Sequence, residues 1–461
     1  MKDEFRLDKD SLGTISVPKN ALWGAQTQRS IENFSTGGEL IPLELIYALV
    51  LIKKASAIAN FKLGLLENNK KDLIVESCLE INNGIYDSQF PLKVWQTGSG
   101  TQTNMNVNEV IANIAALKTD SPLGGNKPLH PNDDINKSQS TNDIFPAAIQ
   151  ISVLNEIHLN LIPSIEQLYT EFDQKSNEWN NLIKIGRTHF QDAVPITFGQ
   201  EISGWSTQIK DAKNSILLNA KDLLNLPIGG TAVGTGINCP KNFSEEVIKI
   251  IRSETKQPFK TSSNHFSLMS SHDRLANIMT QLKILACSLF KISNDIKILS
   301  SGPRSGIYEL ILPRNEPGSS IMPGKVNPTQ CEALSMICAQ IMGLECAVSM
   351  ANSSGTLQMN EYKPLIAFNL LTSINLLSQS INNFNNNLVK GMIPNHKSAK
   401  NNLYNSLMLV TILVPEIGYE KAAKVADLAF KESLNLKHAI LKLGYMTEEK
   451  YEEIMKIDDM V

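Results

Sequence analysis

The chain has 461 residues, and its 43 basic and 46 acidic side chains leave a formal net charge of −3. This balance argues against a polyanion as the main partner, because no global positive field is present to hold nucleic acid or an anionic membrane. The charged start "MKDEFRLDKD" predicts neither a secretory signal nor a transit peptide. We expect no apolar run long enough to cross a bilayer, and we predict a cytoplasmic protein.

The cysteines are spread along the chain, and none forms a CxxC pair. This spacing gives little support to zinc or iron–sulfur ligation, so no metal site is expected. Buried thiols in a reducing compartment are the simpler interpretation. The six residues are Cys78, Cys239, Cys287, Cys331, Cys338 and Cys346.

Helical periodicity dominates the chain after a short N-terminal stretch. Residues 5–20 mix alternating side chains with Gly13 and Pro18, which predicts a small hairpin. Residues 43–66 repeat apolar side chains with a helical period. Five later segments predict long amphipathic helices, several of them well above the usual length of about a dozen residues. They are 143–180, 198–225, 268–299, 329–352 and 363–391.

The long helices are more apolar than a single buried face requires. Residues 275–299 are apolar around much of the helix, which predicts neighbours on several sides. We therefore expect an all-α fold with an elongated five-helix bundle, and other subunits of a symmetric oligomer covering its remaining apolar surface. The predicted domains are a mostly helical one at 1–140, the central bundle at 141–395 and a small helical one at 396–461.

The stretch "TGSGTQTNMNVNEVIAN" at residues 97–113 places small residues before a helix-like run. A helix start presents unpaired N–H groups and the positive end of the helix dipole, which suits a carboxylate or phosphate. Thr101, Asn104 and Asn108 fall at i, i+3 and i+7, so one face would carry a hydroxyl and two amides. An ordinary N-cap followed by solvated asparagines explains the same pattern.

The stretch "HPNDDINKSQSTND" at residues 130–143 is dense in polar groups, although apolar helices flank it. A polar surface loop is the simpler interpretation. The functional alternative is a cluster of donors, Ser140, Thr141 and Asn142, directed at an anion.

The stretch "GRTHFQDAVPITFGQE" at residues 186–201 contains His189 between the polar side chains Thr188 and Gln191. A single histidine is more often structural than functional. Imidazole nevertheless titrates near physiological pH and is the commonest general acid or base.

The stretch "GSSIMPGKVNPTQCE" at residues 318–332 has no acid before Glu332 and places Lys325 and Asn327 two positions apart. Its glycines let the backbone approach a ligand closely, while the ammonium and the amide supply donors. A P-loop would have Ser or Thr after the lysine, but Val326 follows here. The pattern favours a lid that folds over an anion, with a flexible helix–helix connection as the alternative.

Taken together, these stretches resemble the fumarase/aspartase superfamily. "GSSIMPGKVNP" is similar to its signature loop, and "LWGAQTQRS", "GSGTQTNMNVNEV", "HPNDDINKSQSTND", "GRTHFQDAVPITFGQE" and "GGTAVGTGIN" occur in the family's order over nearly the whole chain. The histidine of "GRTH" and the glycine of "MPGKVNP" make the chain most similar to the class II, metal-independent fumarases.

The resemblance implies the three-domain fold of this superfamily and the reversible hydration of fumarate to L-malate through an aci-carboxylate carbanion. This reaction belongs to the tricarboxylic acid cycle and would need no cofactor and no metal. The resemblance also implies a homotetramer with each active site shared by three subunits. Its partner would be a small dicarboxylate, with no nucleic acid and no membrane.

The resemblance also implies roles for individual residues. Ser319 would remove the proton from carbon, His189 would be the second acid/base acting on water, and Glu332 would polarise that histidine. The substrate would be bound by Ser99, Gly100, Thr101, Ser140, Thr141, Asn142, Thr188, Ser320, Lys325, Val326 and Asn327. A secondary anion site would comprise Lys127, His130, Pro131, Asn132 and Asp133, and it would be weak because the family often has an arginine where Lys127 stands.

Two alternatives stay open from the sequence. An aspartate ammonia-lyase on the same fold passes through the same carbanion and differs in its leaving group, and aspartases share the threonine at Thr141. A non-catalytic protein that keeps the fold would have lost its catalytic positions, whereas Ser319, Lys325, Asn327 and His189 are all present.

Overall fold

The structure is a computed structural model, and it describes residues 4–318, 320–457 and 461. Helices dominate these residues, which confirms the predicted all-α class. Helices α1 to α17 are Ala25–Asn33, Leu43–Lys62, Asn68–Asn82, Thr101–Lys118, Thr141–Glu156, Ile162–Glu178, Phe198–Ala220, Phe243–Thr255, His265–Ser270, Asp273–Leu299, Thr329–Ser353, Lys363–Phe384, His396–Asn405, Val414–Ile417, Tyr419–Lys431, Leu436–Lys442 and Glu448–Ile454. Strands β1 to β8 are Phe5–Asp10, Gly13–Pro18, Ile183–Thr188, Gln191–Thr197, Asn225–Leu226, Lys260–Thr261, Leu310–Ile311 and Ile393–Pro394, and they form two-stranded sheets.

The five predicted long helices are present, with local interruptions. α5 continues through a π-helical turn at Ile157–Leu161 into α6, and α12 continues through another at Asn385–Val389. The predicted segment 268–299 is divided, because α9 ends at Ser270 and α10 begins at Asp273.

The chain divides into two compact units, and each unit consists of three segments. The first comprises Met1–Ile162, Asn214–Ile284 and Gln340–Leu377, and the second comprises Pro163–Lys213, Leu285–Ala339 and Ser378–Val461. Each boundary between these segments falls inside a helix, in α6, α7, α10, α11 or α12. The three sequence-based domains at 1–140, 141–395 and 396–461 stay a prediction.

The first unit is built around α2, which packs against α3, α4, α5 and α8. Apolar side chains lie on all sides of this helix, and Leu45, Leu49, Val50 and Ile52 are fully buried. A helix that is apolar all round needs neighbours in every direction, and these four helices provide them. Lys53, Lys54, Ser56 and Asn60 are the buried polar residues of this helix.

The predicted N-terminal hairpin is also part of the first unit. β1 and β2 pair antiparallel from Phe5↔Pro18 to Asp10↔Gly13. Gly13 has φ of 115°, a backbone conformation that side chains rarely tolerate and that glycine adopts freely. The glycine therefore permits the tight reversal that the sequence pattern predicted.

The second unit contains a hairpin, β3–β4, that the sequence did not predict. The buried Ile185 of β3 belongs to an apolar cluster with Leu403, Leu413 and Val425 from the C-terminal part of the chain. α13 packs against β3 as well. The β3–β4 hairpin therefore packs against the C-terminal helices.

Three helices are long and apolar enough to cross a membrane by length and composition: Asp273–Leu299, Thr329–Ser353 and Lys363–Val389. The sequence was expected to hold no uninterrupted apolar run of that length, and polar side chains do interrupt each of these three helices. Only 22% of the most apolar window of Thr329–Ser353 is buried. This helix therefore leaves an apolar surface uncovered in a single chain.

Candidate active site

The loop before α4 has a backbone conformation that glycine makes possible. Gly100 caps α4 with φ of 80°, and a Cβ atom there would lie 2.4 Å from the Phe145 ring. A Cβ atom on Gly98 would lie 1.5 Å from the carbonyl oxygen of Glu361. No side chain fits at either position. The two glycines, which lie directly before and after Ser99, therefore allow the loop to pack tightly.

Two hydroxyl groups stand at this helix start. Ser99 Oγ and Thr101 Oγ1 lie 2.8 Å apart, and the backbone N–H of Thr101 donates to Ser99 Oγ at 3.3 Å. Both side chains are in the exposed part of the loop. The pair of hydroxyls and the helix start form one surface that can donate to an anion.

The start of α5 carries the second predicted donor cluster. Ser140 Oγ accepts from the backbone N–H of Asn142 at 3.3 Å, and the Asp143 carboxylate accepts from the backbone N–H of Ser140 at 3.0 Å. This is a capping box, with an aspartate three residues after the cap serine. The "SxxD" spacing was the sequence signal that could have identified Asp143.

Asp143 also fixes the glycine-rich loop that follows β5. Its Oδ2 accepts from the backbone N–H groups of Gly229 at 2.9 Å and Thr231 at 3.0 Å, while Asn142 Nδ2 donates to the carbonyl oxygen of Ala232 at 2.8 Å. Burial raises the pKa of Asp143 to about 6, although these N–H donors oppose the shift. The carboxylate thus connects the donor cluster to a loop about 90 residues away in sequence.

The two donor clusters are joined by buried amides. Asn104 Nδ2 donates to Thr141 Oγ1 and to Asn136 Oδ1, at 3.1 Å in both cases. Asn104 is 1% exposed and Asn108 is fully buried, so the alternative of solvated asparagines is wrong. Asn136 was not predicted as a site residue, because a single asparagine in a polar loop carries no distinguishing signal.

In the second unit, His189 stands at the tip of the β3–β4 hairpin. Thr188 pairs with Gln191, and the two residues between them, His189 and Phe190, have φ of 55° and 60°. Positive φ at both central positions is the mark of a tight hairpin turn that matches the strand twist. Thr188 and His189 are exposed, and His189 lines a cavity of about 460 Å³ together with Arg187.

A buried carboxylate supports the base of this hairpin. Glu309 forms ion pairs with Arg187 at 2.8 Å and Lys184 at 3.0 Å, and Asn402 Nδ2 donates to it at 3.0 Å. Burial alone would raise the pKa of Glu309, but the bonds to Arg187 and the charge of Lys184 hold that pKa below its usual value. Sequence reasoning missed Glu309, because 122 residues separate it from Arg187.

The predicted lid residues line a cavity of about 390 Å³ in the second unit. Lys325, Val326 and Asn327 lie on its wall together with the cationic side chains of Lys297 and Arg314. Three cations and an amide make this cavity suited to an anion. Ser320 is exposed nearby in sequence, whereas Ser319 lies outside the described residues.

His189 and Glu332 do not meet in the single chain. Glu332 is exposed in the first turn of α11, and among the described residues it forms no hydrogen bond or ion pair with His189. The donors at α4 and α5 belong to the first unit, and His189 and the predicted lid residues belong to the second.

The predicted secondary anion site corresponds to part of another cavity of about 460 Å³. Lys127, His130, Pro131 and Asn132 line it, but Asp133 does not. His130 Nδ1 accepts from the backbone N–H groups of Asn132 at 3.2 Å and Asp133 at 3.1 Å, so this imidazole caps the helical turn that follows. The walls also carry the acidic side chains Asp8, Asp10 and Glu109, so their charge is mixed.

Comparisons with known proteins give the class of this chain. A family model described as lyase matches residues 13–343, and a model of the fumarase C C-terminus matches residues 409–461. Together with the helical fold, these matches define a lyase of the fumarase type.

Individual relatives narrow this class. The class II fumarate hydratase of Prochlorococcus marinus subsp. pastoris is 68% identical over 100% of both chains, and that of Bacillus subtilis is 49% identical over 99% of both. A crystal structure of class II fumarase from Schistosoma mansoni superposes with a TM-score of 0.95, at 43% identity and 99% coverage of both chains. The chain belongs to the class II fumarate hydratase family, and the resemblance seen in its sequence is confirmed.

Proposed function

We propose that this chain catalyses the reversible hydration of fumarate to L-malate, as a cytoplasmic enzyme of the tricarboxylic acid cycle. The observation that carries the proposal is the pair of donor clusters at the starts of α4 and α5. Their hydroxyls and amides are held by the Asn104 bridge, at 3.1 Å to Thr141 Oγ1, and form a surface suited to carboxylate oxygens. The relatives named fumarate hydratase support the same assignment.

The chemical problem is the charge of the intermediate. Removing a proton from the carbon beside a carboxylate of malate leaves an aci-carboxylate, which concentrates extra negative charge on oxygen. Preorganised donors stabilise such an anion, and removing one donor from a known oxyanion site costs about 3–4 kcal/mol. Lys325, Asn327 and Asn142 are the donors assigned to this charge, and the cationic wall around Lys325 supports that role.

The remaining substrate contacts go to the carboxylates. Their ligands are Ser99, Gly100, Thr101, Ser140, Thr141, Thr188, Ser320 and Val326, with backbone N–H groups of the lid contributing. Hydroxyls at two helix starts support this assignment, exposed at α4 and half-buried or buried at α5, since both the hydroxyls and the helix dipoles favour negative charge.

Proton transfer uses two residues on opposite sides of the substrate. In the dehydration direction, Ser319 removes the proton from carbon, and His189 donates a proton to the departing hydroxide. In hydration the same steps run in reverse. Glu332 orients His189 and favours its protonated form, because a carboxylate beside an imidazole stabilises the imidazolium.

The active site is completed by other subunits of a homotetramer. Among the described residues of one chain, His189 forms no hydrogen bond or ion pair with Glu332, which supports a pair that forms between chains. The apolar surface of α11 also supports it, since only 22% of the most apolar window is buried. In this assembly the three apolar helices pack against one another across subunits and not against lipid. The secondary site at Lys127 and His130 binds anions weakly, because a lysine lacks the bidentate fork of an arginine.

A direct assay tests the proposed activity. Purified protein is supplied with L-malate and, separately, with L-aspartate, while the absorbance of fumarate is followed. We expect fumarate from malate only. Fumarate from aspartate alone would assign the chain to the ammonia-lyases, and fumarate from neither substrate would leave a non-catalytic protein.

A further inference from the structure

A polar cluster inside the first unit has no part in the proposed chemistry. Lys53, in the middle of α2, donates from Nζ to Asn136 Oδ1 at 2.9 Å and to Gln139 Oε1 at 3.0 Å. Asn136 Oδ1 also accepts from Asn104 Nδ2 at 3.1 Å. One ammonium group therefore binds two residues of the segment that leads into the donor cluster at Ser140.

Burying the ammonium group of this lysine is unfavourable in free energy. Lys53 is 0% exposed, and most of the other buried side chains of α2 are apolar. A buried ammonium loses its hydration, and burial accordingly lowers the pKa of Lys53 to about 7, with the charge of Asp143 opposing the shift. Its hydrogen-bond acceptors are two neutral amide oxygens, so no carboxylate neutralises it directly. An apolar side chain would satisfy the packing here, which indicates that the ammonium has another role.

The segment held by Lys53 is the one that carries the substrate donors. Asn136 Nδ2 donates to the carbonyl oxygen of Gln139 at 3.3 Å, which closes the segment into a compact turn just before Ser140. Asn104 then connects this turn to Thr141 Oγ1 at 3.1 Å and belongs to α4, whose first residue is Thr101. Lys53 thus reaches Asn104 of α4 through Asn136, and Thr141 of α5 through Asn136 and Asn104.

We propose that Lys53 is a positioning residue for dicarboxylate binding. Its ammonium binds Asn136 and Gln139 and thereby fixes the donors at the starts of α4 and α5 in their positions relative to each other. The inference rests on the proposed function, since it specifies how that site is preorganised. Lys53 is buried beneath the donors and does not itself contact the substrate.

The test compares Lys53→Met with Lys54→Met in the full-length protein. Lys54 is the next residue of α2, is 5% exposed and forms an ion pair with Glu254 at 3.0 Å, away from the donor segment. Succinate binding is measured by calorimetry, and kcat and KM for malate by fumarate absorbance. We expect Lys53→Met to raise both the succinate Kd and the KM about tenfold, as for loss of hydrogen bonds from a charged donor, and Lys54→Met to change them less than about twofold.

A double-mutant cycle separates positioning from general stability. If Lys53 acts through Asn136, Lys53→Met combined with Asn136→Leu should bind succinate about as weakly as the worse single variant. Fully additive losses, or a folded Lys53→Met variant with an unchanged succinate Kd, would overturn the proposal. Should Lys53→Met fail to fold, Gln139→Leu decides, because it removes one acceptor of the ammonium: a raised Kd supports positioning and an unchanged Kd overturns it.

The same measurements distinguish this inference from the proposed function. A protein that binds succinate in a Lys53-dependent way but does not convert malate would contradict the proposed reaction and leave the positioning role intact. A protein that converts malate with succinate binding independent of Lys53 would contradict the positioning role alone.

Discussion

Arg187 and Glu309 form a bidentate ion pair, with Nη1 at 3.0 Å from Oε2 and Nη2 at 2.8 Å from Oε1. The Glu309 side chain is completely buried, and Arg187 lies two residues before His189 on the same hairpin. A planar guanidinium bound in this way fixes orientation as well as position. The pair therefore anchors the strand that presents the proposed acid/base.

Replacing Glu309 by Gln should impair catalysis through this anchor. The variant leaves the buried Lys184, which keeps its ion pair with Glu201, and the half-buried Arg187 beside a neutral amide. Breaking a buried pair typically costs about 3–5 kcal/mol. We expect a lower melting temperature and a kcat reduced by about tenfold or more as the hairpin shifts. The matched control is Glu416→Gln, at an exposed glutamate of the same unit. A kcat equal to that of the unmodified protein would contradict the anchoring role.

Replacing His189 by Asn should remove proton transfer and preserve binding. General acid–base catalysis contributes about 10²–10⁴-fold, so kcat for malate should fall by that order. The succinate Kd should change by less than about twofold, because the donors at α4 and α5 are untouched. Calorimetry and steady-state kinetics measure the two quantities separately. Equal losses in kcat and in binding would mean that His189 only positions the substrate.

Replacing Gly100 by Ala should disrupt the start of α4. The φ of 80° disfavours any side chain, and the new Cβ atom would lie 2.4 Å from the Phe145 ring. We expect KM for malate to rise about tenfold or more as Ser99 and Thr101 are displaced. Gly38→Ala is the control, because a Cβ atom there would have nothing within 4 Å. Similar KM values in the two variants would show that the loop tolerates the change.

Acid should destabilise the protein through His272. Burial lowers the pKa of His272 to about 3, with the charge of Lys363 acting in the same direction and that of Asp273 opposing it. The unfolded chain takes up this proton below about pH 6.5 and the folded chain does not. The contribution of the neutral His272 to the free energy of unfolding is therefore fully present above that pH, and it falls by about 1.4 kcal/mol for each pH unit towards pH 3. Melting temperatures at pH 7 and pH 5 measure the loss.

Variants at two histidines isolate that effect. His272→Gln cannot take up the proton in the unfolded state, so the drop in melting temperature between pH 7 and pH 5 should be smaller than in the unmodified protein. His438→Gln, at an exposed histidine of α16, should leave the drop unchanged. An identical drop in all three proteins would assign the acid sensitivity to other groups.

The apolar surface of α11 should hold the oligomer together. Met336 and Met350 are 68% and 65% exposed in a single chain, on a helix with few charged residues. Met336→Lys should place an ammonium in the subunit interface and cause dissociation, because an unpaired buried charge costs several kcal/mol. The sedimentation coefficient and the rate of malate turnover should both be lower in this variant than in the unmodified protein. A dissociated chain with full activity would contradict an active site shared between subunits.

The long helices, the N-terminal hairpin and the candidate site loops of this protein followed from local sequence, whereas the β3–β4 hairpin did not. Apolar periodicity predicted the long helices, the glycine at position 13 predicted the N-terminal turn, and the polar stretches at 97–113, 130–143 and 318–332 predicted donor-rich loops. These features depend on neighbouring residues alone, since helix periodicity, turn conformation and helix capping are set within a few positions of the chain.

Other relationships were decided only by the tertiary structure. Lys53 meets Asn136, Asp143 meets Gly229, and Arg187 meets Glu309 across separations of 83, 86 and 122 residues. A lysine on an apolar helix or a glutamate before a strand looks ordinary in sequence, because its partner is distant along the chain. The chain's local pattern thus determined which groups are proposed to bind a dicarboxylate, while folding decided which buried charges contact the segments that carry those groups.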